Sequence, residues 1–237
     1  MGNTVFKFKQ FEMYQDRCGM KISTDAVVLG AIAEETSVKS ILDIGAGTGV
    51  ISLMLAQRFT EASVQAVELD EEAYLQSLEN VKTSPFSDRV KVYHASFQDF
   101  ALEKSAQYDL IVSNPPYFPD HLKSQDLQRN QALHNDKLSF EDLAKGVARL
   151  LNQKGSFWVI LPPRQMEEFS HVCSQKKLFP IFNLKLRDKA ASKVIREVQA
   201  FSFDQVEIEK RELYIKNIDG SFALNYRILL QDFLTIF

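Results

Sequence analysis

Asn114-Pro115-Pro116-Tyr117 is a segment built to hold and polarise a small planar group. The side-chain oxygen of Asn114 and the carbonyl of Pro115 can both accept from one NH2 group. Two successive prolines fix the backbone and remove two amide donors, which leaves a rigid set of acceptors. Tyr117 adds a ring on which a planar substrate can stack. An exocyclic amine on a heteroaromatic ring is a poor nucleophile, because its lone pair is delocalised into the ring. Acceptors on both of its hydrogens bias the nitrogen toward a tetrahedral shape. They also stabilise the positive charge that grows as the nitrogen takes up an alkyl group. An aromatic face favours the same cationic centre. No strong base is required, since the proton can leave after transfer. In isolation the same tetrapeptide could equally be a rigid turn that ends a strand.

A second constellation lies upstream. Asp43-x-Gly45-x-Gly47-x-Gly49 follows the apolar run Ser40–Ile44 and opens a helical pattern. Glycines allow backbone angles that side chains disfavour. They also let a ligand approach the backbone at the positive end of a helix. Glu68 ends the next apolar run, about 20 residues past Gly47, where a carboxylate can accept from both hydroxyls of a ribose. The glycine spacing is GxGxG, whereas dinucleotide sites usually show GxGxxG.

The elements that must position these residues follow from hydrophobic period and punctuation. Strands are expected at 40–44, 64–69, 90–94, 108–113 and 157–161. Helices are expected at 26–33, 50–59, 71–82 and 138–151. In the helix at 71–82, Leu75, Leu78 and Val81 mark the face expected to be buried. Ser139 is a plausible N-cap of the helix at 138–151. The run 116–137 is polar and irregular. Residues 178–186 and 198–203 read as strands around a charged loop, 187–197. Strands alternating with helices imply an α/β fold with a doubly wound, mostly parallel sheet. Ligands bind at the carboxyl edge of such sheets, and Asn114 follows the strand 108–113 there. One domain over 1–237 is expected, with 1–37 as an extension packed on it.

Composition narrows the function classes. The 237 residues are 45% apolar and 25% charged, with a net charge of −3. That suits a soluble globular protein and excludes a global positive field. Cys18 and Cys173 are far apart, and His94, His121, His134 and His171 form no metal-ligand spacing, so no metal is expected. The N-terminus lacks the apolar core of a signal peptide, Phe6 stands where a myristoylation motif needs Ser or Thr, and no run is long enough to span a bilayer. A cytoplasmic location is expected, with no membrane and no obligate protein partner. A local basic patch remains available for nucleic acid: Lys185, Arg187, Lys189, Lys193 and Arg196 against Asp188, with Lys7, Lys9 and Arg17 near the N-terminus. The alternative is a charged, solvated loop.

Longer blocks sharpen the reading. Phe8-Lys9-Gln10-Phe11, Asp16-Arg17-Cys18-Gly19-Met20-Lys21-Ile22-Ser23-Thr24-Asp25 and Leu29-Gly30-Ala31 resemble the N-terminus of the bacterial tRNA1(Val) (adenine(37)-N6)-methyltransferases. Ile41–Gly45, Val67–Asp70, Ser84-Pro85-Phe86, Asn114–Phe118 and the final Asp232-Phe233-Leu234 continue the likeness. The resemblance implies a Rossmann-like class I methyltransferase fold with an antiparallel C-terminal strand. It implies S-adenosylmethionine as cofactor and tRNA(Val), at the adenosine 3′ of the anticodon, as substrate. Asn114, Pro115 and Tyr117 would be catalytic. Asp43, Gly45, Gly47 and Glu68 would hold the cofactor, Lys21 and Thr24 would lie near its methionine end, and Phe97 would wall its adenine. Ser96 stands where such enzymes often carry an acidic residue. The same tetrapeptide also serves ribosomal guanine, DNA adenine and release-factor glutamine methylation. A nicotinamide-dependent dehydrogenase on the same type of sheet and a silent binding module are further alternatives.

Overall fold

The chain opens with a small antiparallel hairpin, β1 (Val5–Lys7) and β2 (Glu12–Tyr14), followed by helix α1 (Thr24–Ile32). Then strands and helices alternate: β3 (Ser40–Ile44), α2 (Val50–Arg58), β4 (Ser63–Glu68), α3 (Glu71–Thr83), β5 (Val90–His94), α4 (Phe97–Glu103) and β6 (Tyr108–Ser113). After them come α5 (Phe140–Leu150), β7 (Leu151–Leu161), α6 (Pro163–Gln175), β8 (Phe179–Arg187), β9 (Val194–Ser202), β10 (Glu209–Tyr214) and α7 (Leu224–Leu230). The computed structural model describes residues 5–19, 21–105, 107–116 and 138–237.

Eight strands form one sheet in the order β5-β4-β3-β6-β7-β9-β8-β10. The first five of that row are parallel. Their side chains alternate between two cores. Ile41, Leu110, Val112, Trp158 and Ile160 pack under α1, α2 and α7, whereas Leu42, Ile44, Ile111, Phe157 and Val159 pack under α4, α5 and α6. Burial on both faces is why these strands read as continuous apolar runs.

The expected antiparallel strand is present, but it is internal. β9 runs against both β7 and β8, and β10 then returns parallel to β8 as the edge. The turn 188–193 is short, and a short turn can only join antiparallel strands. The expected charged loop 187–197 is therefore strand at both ends, at Arg187 and Val194–Glu197, with the turn confined to 188–193. Glu197 sits opposite Lys185 of β8 across the hairpin, a pairing that favours strand over solvated loop.

Helix α3 buries Val81 and packs Leu78 half-buried against the core as expected, but it adds a polar stretch to its buried face. Leu75 is 39% exposed, while Ala73, Gln76, Ser77, Asn80 and Val81 are buried. Helix α4, capped by Ser96, and helix α6 arise where no helix was expected. The N-terminal hairpin is pinned at both ends of the molecule. Phe8 bridges Leu234 and the Lys9 N–H donates to the Phe233 carbonyl at 2.7 Å, while Phe11 meets Phe86 edge-on.

Candidate active site

β3 and β6 are neighbours, and the chain leaves them in opposite directions across the sheet, so their carboxyl ends form the topological switch point. Ile44 pairs with Ser113 in register, and the Ser113 hydroxyl donates to the Ile44 carbonyl at 2.9 Å. That bond joins the two strands one residue before each motif begins. Gly45 and Asn114 thus start side by side.

The turn after β3 has the geometry its glycines predict. Gly45, Gly47 and Gly49 have φ of 72°, 55° and 82°. A Cβ added at Gly45 or Gly47 would meet no atom within 4 Å. The strain is thus intrinsic to the backbone, and the space over the turn is open to a ligand. Gly49 caps α2 and rests on α3, with Ser77 Cβ 3.4 Å from where its own Cβ would be.

Two carboxylates flank the turn and behave differently. Glu68 ends β4, and its Oε2 accepts from the Gly47 N–H at 2.7 Å, while Oε1 accepts from the N–H groups of Leu69 and Asp70, each at 2.9 Å. Its carboxylate is oriented by three backbone donors and borders the open side of the turn. Asp43 is wholly buried beneath it. Its Oδ2 accepts from the Ser52 hydroxyl at 2.6 Å, and its Oδ1 has no partner. Burial pushes this carboxyl up to about 7, against the pull of the Ser52 hydrogen bonds. The alternation of β3 turns Asp43 toward α2, so it supports the turn from below.

On the other loop, Asn114 is half-buried, Pro115 buried and Pro116 exposed. Tyr117 lies outside the described residues. Phe97 is 5% exposed and belongs to the core between α4 and α5. A Cβ at Gly146 would fall 2.4 Å from its ring, so the ring fills the space that the glycine leaves. Phe97 thus packs in the core, on the inward face of α4 with Phe100 and Ala101. Ser96 caps α4, accepting from the Asp99 N–H at 3.0 Å and donating to the Asp99 carboxylate at 2.7 Å.

Lys21 and Thr24 are exposed. They lie at the carboxyl edge of the sheet, since the opposite end of α1 is held near the end of α2 by Arg58, which donates to the Gly30 and Ala33 carbonyls. Tyr226 of α7 is the neighbour of Thr24.

A family model, the methyltransferase small domain, matches residues 22–170. A tRNA1(Val) (adenine(37)-N6)-methyltransferase of Pedobacter heparinus is 42% identical over 233 residues, 98% of this chain and 99% of the relative. The chain belongs to that methyltransferase family. A relative of the same name from Bacteroides fragilis is 40% identical over 234 residues, covering 98% of each chain. Among solved structures, a predicted O-methyltransferase from Agrobacterium tumefaciens superposes with a TM-score of 0.70 at 18% identity, over 88% of this chain and 96% of that one. A methyltransferase from Pyrococcus furiosus gives 0.58 at 17% identity, over 82% and 90%. These share the class I methyltransferase fold.

The basic patch of this methyltransferase is less available than its composition suggests. Arg196 bonds Asp25 of α1 at 2.5 Å, and both side chains are largely buried. Arg187 donates to the Ser192 carbonyl at 2.5 Å and lies 3.5 Å from Glu212. Both arginines therefore brace the hairpin and its neighbours, because strand pairing brings acids from other elements alongside them. Lys185 and Lys193 are exposed and Lys189 is half-buried. Their turn lies at the same carboxyl edge as Asn114, since Glu197 pairs with Leu161 at the end of β7. Near the N-terminus, Lys7 pairs with Glu12 and Arg17 with Glu79.

Two residues near the site escaped the sequence reading: Gln76 and Asn80, both fully buried. Their spacing of four on one helix was the available signal, but two amides four apart normally read as a solvated face. Among the described residues, no His, Cys, Asp or Glu cluster could hold a metal, and no helix is long and apolar enough to cross a membrane.

Proposed function

We propose that the chain methylates the exocyclic N6 of adenosine 37 in tRNA1(Val), with S-adenosylmethionine as donor. The observation that carries this reading is the junction of the two loops through the Ser113 hydroxyl and the Ile44 carbonyl. It sets a glycine cradle with open space above it beside an Asn-Pro-Pro acceptor array. The near full-length likeness to relatives of that name supplies the substrate.

In this reading the Gly45–Gly49 backbone takes the cofactor and the Glu68 carboxylate accepts from its ribose hydroxyls. The open space over Gly45 and Gly47 fits such a ligand. When bound, S-adenosylmethionine supplies an electrophilic methyl carbon on sulfur. Lys21 and Thr24 border the entrance from the α1 side. The Asn114 side-chain oxygen and the Pro115 carbonyl accept from the two N6 hydrogens, which localises the nitrogen lone pair. Tyr117 stacks on the adenine. The base must leave its stack to reach the site, and Lys185, Lys189 and Lys193 lie on the same edge to contact phosphates. A tRNA substrate places this work in the cytoplasm.

Methylation of unmodified tRNA followed by nucleoside mapping tests the proposal. N6-methyladenosine at position 37 of tRNA1(Val) is the expected product. Methyl groups found instead on guanine, DNA adenine or a protein glutamine would overturn it.

A further inference from the structure

Gln76 and Asn80 lie one turn apart on α3, and neither side chain is exposed to solvent. A buried amide left unpaired costs about 1–3 kcal/mol per group, so what these two bond explains why the helix carries them. Asn80 Oδ1 accepts from the Tyr14 N–H at 2.7 Å, and its Nδ2 donates to the Tyr14 carbonyl at 2.9 Å. One side chain thus satisfies both backbone groups of Tyr14, as a neighbouring strand would. The same Nδ2 donates to the Thr48 carbonyl at 2.9 Å, between Gly47 and Gly49 in the glycine turn. Gln76 Oε1 accepts from the Arg17 N–H at 3.1 Å, and Gln15 Oε1 accepts from the Ile22 N–H at 3.0 Å.

We infer that Asn80, assisted by Gln76, is a positioning residue for cofactor binding, because it ties the N-terminal segment and the glycine turn to one point on α3. The inference rests on the cofactor site proposed above. Segment and turn cannot move independently while one amide holds both. The segment also passes close to the ribose acceptor. The Cys18 thiol is pushed up to about 11 by burial, and then by the carboxylates of Glu68, Asp70 and Asp16. Ser77, between the two amides, supports Gly49 from the same helix. Helix α3 is therefore a platform for the turn as well as an anchor for the segment.

The test is calorimetric titration of S-adenosylmethionine into the full chain as wild type, Asn80→Leu and Gln76→Leu, with hydrogen–deuterium exchange on each. Leucine keeps the branching of asparagine and removes all three hydrogen bonds. Asn80→Leu should bind about tenfold more weakly, the equivalent of one lost net hydrogen bond. Exchange should quicken at Tyr14 and at the 48–49 turn together. Gln76→Leu should show a smaller loss and faster exchange at Arg17. In the wild type, adding the cofactor should slow exchange in residues 14–19. A purely structural role would instead lower the melting temperature and leave the affinity of the folded protein unchanged. Affinities within twofold of wild type in both folded variants would overturn the inference. Should Asn80→Leu not fold, Gln76→Leu decides alone, and unchanged affinity with faster Arg17 exchange overturns it. A wild type that binds no S-adenosylmethionine would instead sink the cofactor assignment, a result distinct from equal binding by all three proteins.

Discussion

The two halves of the sheet treat their charged residues in opposite ways. On the β3-β4-β5 side, Glu68 stays at the rim of the glycine turn, aimed by the N–H groups of Gly47, Leu69 and Asp70. On the β7-β9-β8-β10 side, the two arginines of an apparent nucleic-acid patch bond within the protein, Arg196 to Asp25 and Arg187 to Ser192 and Glu212. The difference lies in what orients each group. A carboxylate at a strand end next to a glycine turn is directed by backbone that its own motif supplies. A cation on a strand is directed by whichever acid the tertiary structure brings alongside. The orientation of Glu68 is thus set largely by its own motif, and that of the arginines by tertiary partners.

The widest break between the halves should come from Asn114→Ala beside Glu68→Ala. Removing one acceptor of the transition-state charge should lower kcat/KM about a thousandfold, with cofactor affinity within about twofold of wild type. Methylation assays and calorimetry on the same preparation check both. Loss of cofactor affinity in Asn114→Ala would place the residue on the cofactor side. Glu68→Ala should show the reverse pattern, with affinity down about a hundredfold from lost charge-assisted hydrogen bonds.

A second contrast concerns the carboxylate beneath the turn. Asp43 has a folded pKa raised to about 7, chiefly by burial, against an unfolded value of about 3.9. The fold favours its protonated form, so its stabilising contribution is present below about pH 4 and lost as pH rises through about 7. Asp43→Asn is neutral at every pH. Thermal unfolding of the two proteins should therefore diverge in favour of the variant between these limits, by several degrees, and run parallel above them. Parallel curves throughout would show that Asp43 is ionised in the fold.

The smallest effect belongs to the hairpin. Neutralising Lys185, Lys189 and Lys193 together should weaken tRNA binding several-fold and flatten its salt dependence. Arg196→Ala should lower the melting temperature by a few degrees, because it leaves Asp25 unpaired, and should leave the salt slope unchanged. The opposite result for the two variants would restore the arginine as a phosphate contact.

How far the sequence could be read depends on where each signal acts. Strands β3 to β6 and the 157–161 half of β7 were legible because double burial leaves near-continuous apolar runs, and the glycine turn was legible because its backbone angles demand glycine. Val194–Glu197 read as loop rather than strand, since Arg196 and Glu197 look solvated until β8 and α1 bring partners alongside them. Helix α3 was legible as a helix, but Gln76, Ser77 and Asn80 on its buried face were not, because polar residues signal solvent unless another segment covers them. Phe97 reads equally as an adenine wall and as a core ring, because nothing local reveals that Gly146, on another helix, makes room for its ring.

The residues alone marked the fold class and narrowed the chemistry: a glycine turn, a strand-end carboxylate and an Asn-Pro-Pro segment, each shaped by its own backbone. Only the folded structure decided which polar groups face the ligand and which hold the scaffold. Asp43, Gln76, Asn80, Arg187 and Arg196 are all polar, and each takes its role from a partner in another element. Hydrogen bonds and ion pairs between elements carry no sequence period, so they become visible only once packing has brought their partners together.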